Sequence, residues 1–171
     1  MMRRRLLALS AALPLVLSAC GWEPLYADRE MSGGAAKLRA IKVNPIAERV
    51  GQQLEMGLRQ SFNPSGEPAK QAYVLNVTLQ QSLMNSGIQS QGLGTRGELH
   101  LIAQYQLIDL ATHKVLQTGI VHSSDSFDIQ ANGYSTVVAQ GDAARRDVEE
   151  LRREIVTRMT LFMQGAAQAA S

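Results

Sequence analysis

Residues 73–83 read YVLNVTLQQSL. Their apolar side chains alternate with polar ones, and this period of two predicts a strand with one buried face. Residues 99–107, LHLIAQYQL, repeat the alternation, and residues 115–122 return after a short turn at 109–113. We therefore predict long antiparallel strands, with the glycine-containing run 85–97 as a mobile hairpin loop.

Helices are predicted before and after these strands along the chain. Upstream, residues 37–44 alternate as a short strand, and Asn44–Pro45 offers a cap and a first-turn proline to a helix. Apolar residues then recur at every fourth position until the turn at 63–66: Ile46, Val50, Leu54 and Leu58. Downstream, a polar loop at 123–135 leads into a long helix at 137–163, whose apolar residues keep helical spacing.

The order of these elements predicts an α+β fold. Two one-sided helices and a half-buried sheet bury their apolar faces as a two-layer sandwich, a mainly antiparallel four-stranded sheet packed by two helices (β-α-β-β-β-α). We expect a signal peptide at 1–19, a lipidated segment and linker at 20–36, a single α/β domain at 37–164 and a flexible tail at 165–171. A mature chain of about 150 residues is one domain by length.

The N-terminus resembles a bacterial lipoprotein signal. Residues 3–5 are arginines, residues 6–16 form an apolar run, and the segment closes on Leu17–Ser18–Ala19–Cys20. In that signal the thiol receives a diacylglycerol, so Cys20 is expected to carry N-acyl and S-diacylglycerol lipid as the mature N-terminus, with no other cofactor. By the same resemblance, Gly21 favours the outer membrane, because Asp at that position favours inner-membrane retention.

Two alternatives stand beside the lipoprotein interpretation. One is an ordinary cleaved signal with a free cysteine, and the other is a transmembrane anchor, although the apolar run is short of the ~20 residues that a span requires. Cys20 is the only cysteine, so no intrachain disulfide is available. Trp22, Leu25 and Tyr26 either dock on the folded domain or lie at the lipid interface.

Charge gives no indication of a nucleic-acid partner. The chain has 17 basic and 15 acidic residues, and three of the basic ones lie in the leader. From Cys20 onward the acidic residues therefore exceed the basic ones by one, whereas a nucleic-acid-binding domain presents a basic stripe or patch.

The residue pattern also points away from an enzyme. His100 and His122 could face each other across the hairpin, but no third metal ligand is evident, so solvent-facing histidines are favoured over a metal site. Glu98 and Asp125 could approach as a carboxylate pair, yet no sugar-stacking aromatic set surrounds them. Residues 92–97 have GxGxxG spacing but precede a strand rather than a helix, and no serine lies in a nucleophile elbow.

Residues Cys20–Tyr26, CGWEPLY, resemble alphaproteobacterial members of the lipopolysaccharide-assembly lipoprotein family LptE. The predicted element order and the long charged C-terminal helix are also similar. The resemblance implies a two-layer domain on the inner leaflet of the outer membrane. It also implies that the domain plugs the lumen of the LptD β-barrel, helps that barrel assemble, and binds lipopolysaccharide.

Lipopolysaccharide offers phosphate or uronate anions, which lysine and arginine recognise by charge-assisted hydrogen bonds. The loop tips of this chain provide Arg96 and Lys114 as binding candidates, with a solvated surface charge as the alternative for each. Two other functions remain: an accessory lipoprotein of another envelope complex, such as a lipid transporter, and an envelope hydrolase that uses Glu98 or Asp125.

Overall fold

A sheet with helices packed on one face forms the folded domain. The computed structural model describes residues 33–64, 66, 70–88 and 94–168, so the predicted signal, Cys20 and the aromatic segment after it lie outside the described residues. Along the chain the elements are α1 (Gly33–Arg39), β1 (Ile41–Val43), α2 (Arg49–Phe62), β2 (Tyr73–Ile88), β3 (Gly94–Asp109), β4 (Val115–Asp128) and α3 (Gly133–Gln168).

The four strands lie in chain order, β1-β2-β3-β4. β1 and β2 are parallel, because α2 crosses between them, and the other two pairs are antiparallel. Tyr105 on β3 lies opposite Val77 on β2 and Gly119 on β4. The predicted α+β class and β-α-β-β-β-α order are confirmed, with the short helix α1 added before them.

The core lies between the helices and the odd-numbered residues of the long strands. Leu75, Leu99, Leu101 and Leu107 are fully buried there, together with Leu54 and Leu58 of α2 and Leu151, Ile155 and Met159 of α3. The period of two along the strands and of four along the helices therefore produces the two layers. Among the helices of the described ranges, none combines the length and the apolar character needed to cross a bilayer.

Two glycines of the sheet lie directly beneath aromatic rings on the helix side. A side chain at Gly119 would overlap the Tyr105 ring, and one at Gly97 would overlap the Phe127 ring. Tyr105 and Phe127 are both buried. Each ring thus takes the place that a side chain on the neighbouring strand would occupy.

The N-terminal part of the domain differs from the sequence prediction. Residues 33–36, predicted as loop, begin helix α1, and the predicted strand at 37–44 shrinks to Ile41–Val43. α1 is stabilised by tertiary contacts that no local pattern shows: Gly34 packs on Gln164, and Lys37 Nζ donates to the Ala166 carbonyl at 3.4 Å.

The predicted start of α2 at Asn44–Pro45 is also wrong. The side-chain amide of Asn44, through Nδ2, donates instead to Asn76 Oδ1 at 2.7 Å and connects the end of β1 to β2. The helix starts only at Arg49, after Glu48 at φ 65°. The predicted end at residues 63–66 agrees with the structure, in which α2 stops at Phe62.

The strands extend beyond the residues in which apolar and polar side chains alternate. Asn85 pairs with Gly97 and Ile88 with Gly94, so the predicted loop 85–97 reduces to residues 89–93, which lie outside the described residues. β4 continues to Asp128 through part of the predicted polar loop, and α3 spans Gly133–Gln168 rather than 137–163. Backbone pairing continues through these glycine-containing and polar segments, where no regular side-chain alternation marks a strand.

Candidate functional site

The sheet face opposite the helices has no covering layer in the described part of the chain, and we name it the open face. It consists of the even-numbered residues of β2, β3 and β4 from Asn76 and Gln106 to Ser126 and Asp128. Most of these side chains are exposed, in contrast to their odd-numbered neighbours. The strands thus present one buried and one solvent-facing surface.

Four successive rows of the open face carry no Asp, Glu, Lys or Arg. Amide and hydroxyl groups dominate these rows and supply both hydrogen-bond donors and acceptors. The rows are Asn76–Gln106–Thr118, Thr78–Gln104–Ile120, Gln80–Ile102–His122 and Ser82–His100–Ser124.

The first two rows line a shallow concavity of about 900 Å³, bordered by Asn44 and Pro45. Ile120 is 53% exposed within it. This part of the sheet can therefore hold a neutral, polar partner, and its chemistry is hydrogen bonding rather than charge.

The two candidate lipopolysaccharide-binding residues lie at opposite ends of the sheet. Arg96 is not in a loop but in β3, opposite Ser86 and beside Asp128 on β4. Lys114 directly precedes β4, at the turn after Asp109. Arg96 and Asp109 are thirteen residue steps apart along β3, which is roughly 43 Å at 3.3 Å per residue. The two cations therefore cannot hold the same phosphate.

The residues considered for metal binding and hydrolysis are not arranged as sites. His100 pairs with Ser124 and His122 with Ile102, so the two histidines are diagonal neighbours on the open face rather than directly opposite. Glu98 lies on the open face 3.5 Å from His100, whereas Asp125 pairs with Leu99 and faces the helices. Within the described ranges, no three His, Cys, Asp or Glu side chains are grouped to hold a metal ion.

A buried carboxylate joins α3 to β4. Asp147 is 1% exposed, and one of its oxygens accepts a hydrogen bond of 2.6 Å from the Ser123 hydroxyl, while the other oxygen is buried without a partner among the described residues. Burial raises the pKa of Asp147 above its ordinary value, because a charged carboxylate is poorly solvated there. Sequence reasoning missed this group, although Asp147 interrupts the apolar series Ala143, Leu151 and Ile155.

At the same junction, the residue before Asp147, Arg146, forms an ion pair with Asp125 of β4. The Arg146 hydrogen bond holds the pKa of Asp125 below its usual range. Each of the other arginines of α3 is paired with a carboxylate three or four residues before it: Asp142–Arg145, Glu149–Arg152, Glu150–Arg153 and Glu154–Arg158. The charged face of α3 is therefore neutralised locally.

Comparison with known proteins identifies the family of the chain. The model of the lipopolysaccharide-assembly family LptE matches residues 38–159. The matched range begins near the end of α1 and stops inside α3, nine residues before the end of that helix. No curated protein matches the chain by sequence.

Solved structures share the fold at low sequence identity. A candidate lipoprotein from Caulobacter crescentus CB15 matches with a TM-score of 0.63 and 21% identity, over 78% of this chain and 97% of that one. A minor lipoprotein from Acinetobacter baumannii gives 0.54 and 17%, over 71% and 90%. Lipoprotein B from Nitrosomonas europaea gives 0.52 and 12%, over 75% and 85%. At these identities the likeness concerns the fold.

Proposed function

Because the chain belongs to the LptE lipopolysaccharide-assembly family, we propose that it is an outer-membrane lipoprotein that plugs and helps assemble the LptD β-barrel and assists lipopolysaccharide transport to the cell surface. In this proposal the lipid on Cys20 holds the domain on the periplasmic face of the outer membrane. The role in lipopolysaccharide assembly follows from the family. The barrel partner, the lipid and the location are the proposed part.

The neutral rows of the open face carry this proposal. The interior of a large membrane barrel is polar, and a domain that fits inside it must exchange its hydrogen bonds with water for hydrogen bonds with the wall. Amide and hydroxyl side chains such as Asn76, Gln104 and Thr118 make that exchange without moving a formal charge out of water. The paired arginines of α3 support the same conclusion on the helix side.

We propose that Arg96 and Lys114 contact lipopolysaccharide anions separately. Arg96 is exposed at the end of the sheet where β3 begins, and Lys114 is exposed at the other end. Asp128 lies beside Arg96 in register and weakens the positive potential there. Direct binding is thus expected to be modest and salt-dependent.

Affinity purification from detergent-solubilised outer membranes tests the barrel partnership. A large β-barrel protein should be recovered in a fixed ratio to the chain. Recovery of the acylated chain with a lipid-transport complex and without a barrel would support the alternative of an accessory subunit. A Cys20→Ser variant is the control for the anchor, since it should leave the membrane fraction while the domain stays folded.

Mass spectrometry of the native product tests the lipid itself. The N-terminal fragment should begin at Cys20 and carry the mass of one acyl chain and one diacylglycerol. An intact leader, or an unmodified thiol on a mature N-terminus, contradicts the proposed anchor without bearing on the fold.

A further inference from the structure

The free edge of the sheet at β4 exposes backbone hydrogen-bonding groups. The Ile129 N–H donates to the Thr95 carbonyl at 2.9 Å, which makes this pair a hydrogen-bonded one. In an antiparallel ladder such pairs alternate with pairs whose N–H and C=O groups point outward. The register from Asp128 to Thr118 is unbroken. The backbone groups of Thr118, Ile120, His122, Ser124 and Ser126 therefore point away from β3.

Few of these outward groups have partners in the described part of the chain. Arg158 Nη1 donates to the Ile120 carbonyl at 3.1 Å. The Ser126 amide lies beside the Asp125 carboxylate and helps to lower its pKa. Both backbone groups of Thr118, His122 and Ser124 lack a protein partner among the described hydrogen bonds. The edge is therefore mostly unpaired, with the Ile120 carbonyl and the Ser126 amide as the groups that have a protein partner.

The opposite edge of the sheet is covered by β1 only along Tyr73–Leu75, and the rest of β2 has no partner strand on that side among the described residues. On β1, the Asn63 side chain donates to the Ile41 carbonyl at 2.9 Å, and Arg59 Nη2 donates to the Val43 carbonyl at 3.4 Å. Natural sheets blunt their edges with short strands, lysine or proline, yet the 14 residues of β4 include no lysine, arginine or proline. Within the described ranges, β4 is thus the edge strand that has no partner strand on its outer side along its whole length, whereas β2 on the other side is covered by β1 at one end.

We infer that the β4 edge from Thr118 to Ser126 binds an extended polypeptide segment of a partner protein, which adds a fifth strand to the sheet. Strand addition would satisfy the outward backbone groups and needs only about 4.8 Å of lateral space. The inference concerns a main-chain partner, and it holds whether or not that partner is the proposed barrel.

A second copy of this chain does not suit the edge. α3 lies over β4, where Asp147 contacts Ser123 and Arg158 contacts Ile120. Pairing β4 with β4 would place the α3 helices of the two copies next to each other over adjacent strands, whereas packed helices need 8–10 Å between their axes. The occupant is therefore a strand or extended loop without a helix above it on that side.

Amide hydrogen exchange of the full chain tests the inference. We expect the amides of Ile120, His122 and Ser124 to exchange rapidly in the purified protein and at least about tenfold more slowly in native outer-membrane vesicles. Amides in the middle of α3 serve as the internal reference. Equal rates in the two preparations would overturn the inference. Slow exchange that depends on the concentration of the purified protein would indicate self-pairing and overturn the proposed occupant.

Variants at Ser124 separate strand addition from simple covering of the edge. Ser124→Pro deletes the outward N–H without removing a hydrogen bond of the sheet, while Ser124→Ala deletes the side chain and keeps the N–H. In vesicles, the proline variant should lose the protection at Ile120 and His122, and the alanine variant should retain it. Retained protection in the proline variant overturns the inference. Thermal unfolding checks the fold, and His122→Pro with His122→Ala is a second pair.

Discussion

At the scale of single residues, Asp147 is the most unusual group of the domain. Its pKa is raised by burial above the ordinary 3.8, so the charged form is disfavoured in the folded state. Stability contributed by this residue should therefore be present at low pH and decrease as the pH rises through its folded pKa. We expect Asp147→Asn to be about 1 kcal/mol more stable than the wild type at pH 7.5, since it removes a buried charge.

Urea denaturation at pH 3.5 and pH 7.5 measures this effect. The gain in the free energy of unfolding should be smaller at pH 3.5, which lies below the ordinary pKa of 3.8, because the wild-type carboxyl is mostly neutral there in the folded state. Asp128→Asn, at an exposed position, is the matched control for the change from a carboxylate to an amide. A variant that is less stable at both pH values would show that the Ser123 bond outweighs the desolvation of Asp147.

Gly119 is a second residue whose environment makes a sharp prediction. Any side chain there meets the buried Tyr105 ring, whereas the space around Gly141 in α3 is open. Gly119→Ala should lower the free energy of unfolding by ~1–3 kcal/mol, because the rigid ring cannot move aside in a packed core. Gly141→Ala should instead raise it by up to ~1 kcal/mol through helix propensity. Chemical denaturation of both variants compares the two, and equal effects would contradict the packing of Tyr105 over Gly119.

At the scale of elements, the turn between β3 and β4 depends on one carboxylate. Asp109 accepts hydrogen bonds from the Ala111 N–H at 2.8 Å and the Thr112 N–H at 2.9 Å, and these lower its pKa. The stability it contributes should be present above pH 3.8 and decrease as the pH falls through its lower folded pKa. Asp109→Ala should therefore destabilise the domain at pH 7, and the loss should become smaller as the pH is lowered below 3.8, as followed by denaturation at several pH values.

The elements also show how far local pattern can predict this fold. The alternation in β2 and β3 and the four-residue spacing in α2 and α3 identify these elements, since each has one buried face. α1 depends on contacts with Gln164 and Ala166, more than a hundred residues away in sequence, and is not predictable locally. Asn44 resembles a helix cap, but its amide instead binds Asn76, because tertiary context outweighs local preference.

At the scale of the whole molecule, the distance between Arg96 and Lys114 separates their effects. Charge reversal at each position should weaken lipopolysaccharide binding independently, so that the loss for the double variant equals the product of the single losses in fold-change. Binding at low salt measures this, with Arg153→Asp on α3 as a control charge reversal. Full affinity in both single variants would remove the two residues from the proposed function.

The candidate site was only partly predictable from the sequence. The polar positions of β2 and β3 indicate which residues face outward, so the amides of the open face follow from the alternation. Which of these residues lie side by side in a neutral row depends on the register of the strands. A slip of one residue would move every side chain of a strand to the other face of the sheet. The separation of Arg96 from Lys114 depends on the strand extension through residues 94–97, where glycine and polar residues give no signal.

The ion pairs of α3 have a consequence for the setting in which the protein works. All five arginines of that helix have their counter-charge within a turn or on the adjacent strand. Beyond roughly one Debye length, ~8 Å in physiological saline, the electrostatic potential of such a helix is small. In the proposed setting, the lumen of a barrel, such a helix needs few mobile counterions. Changes in salt concentration around the cell envelope should therefore have little effect on how the helix side of the domain binds there.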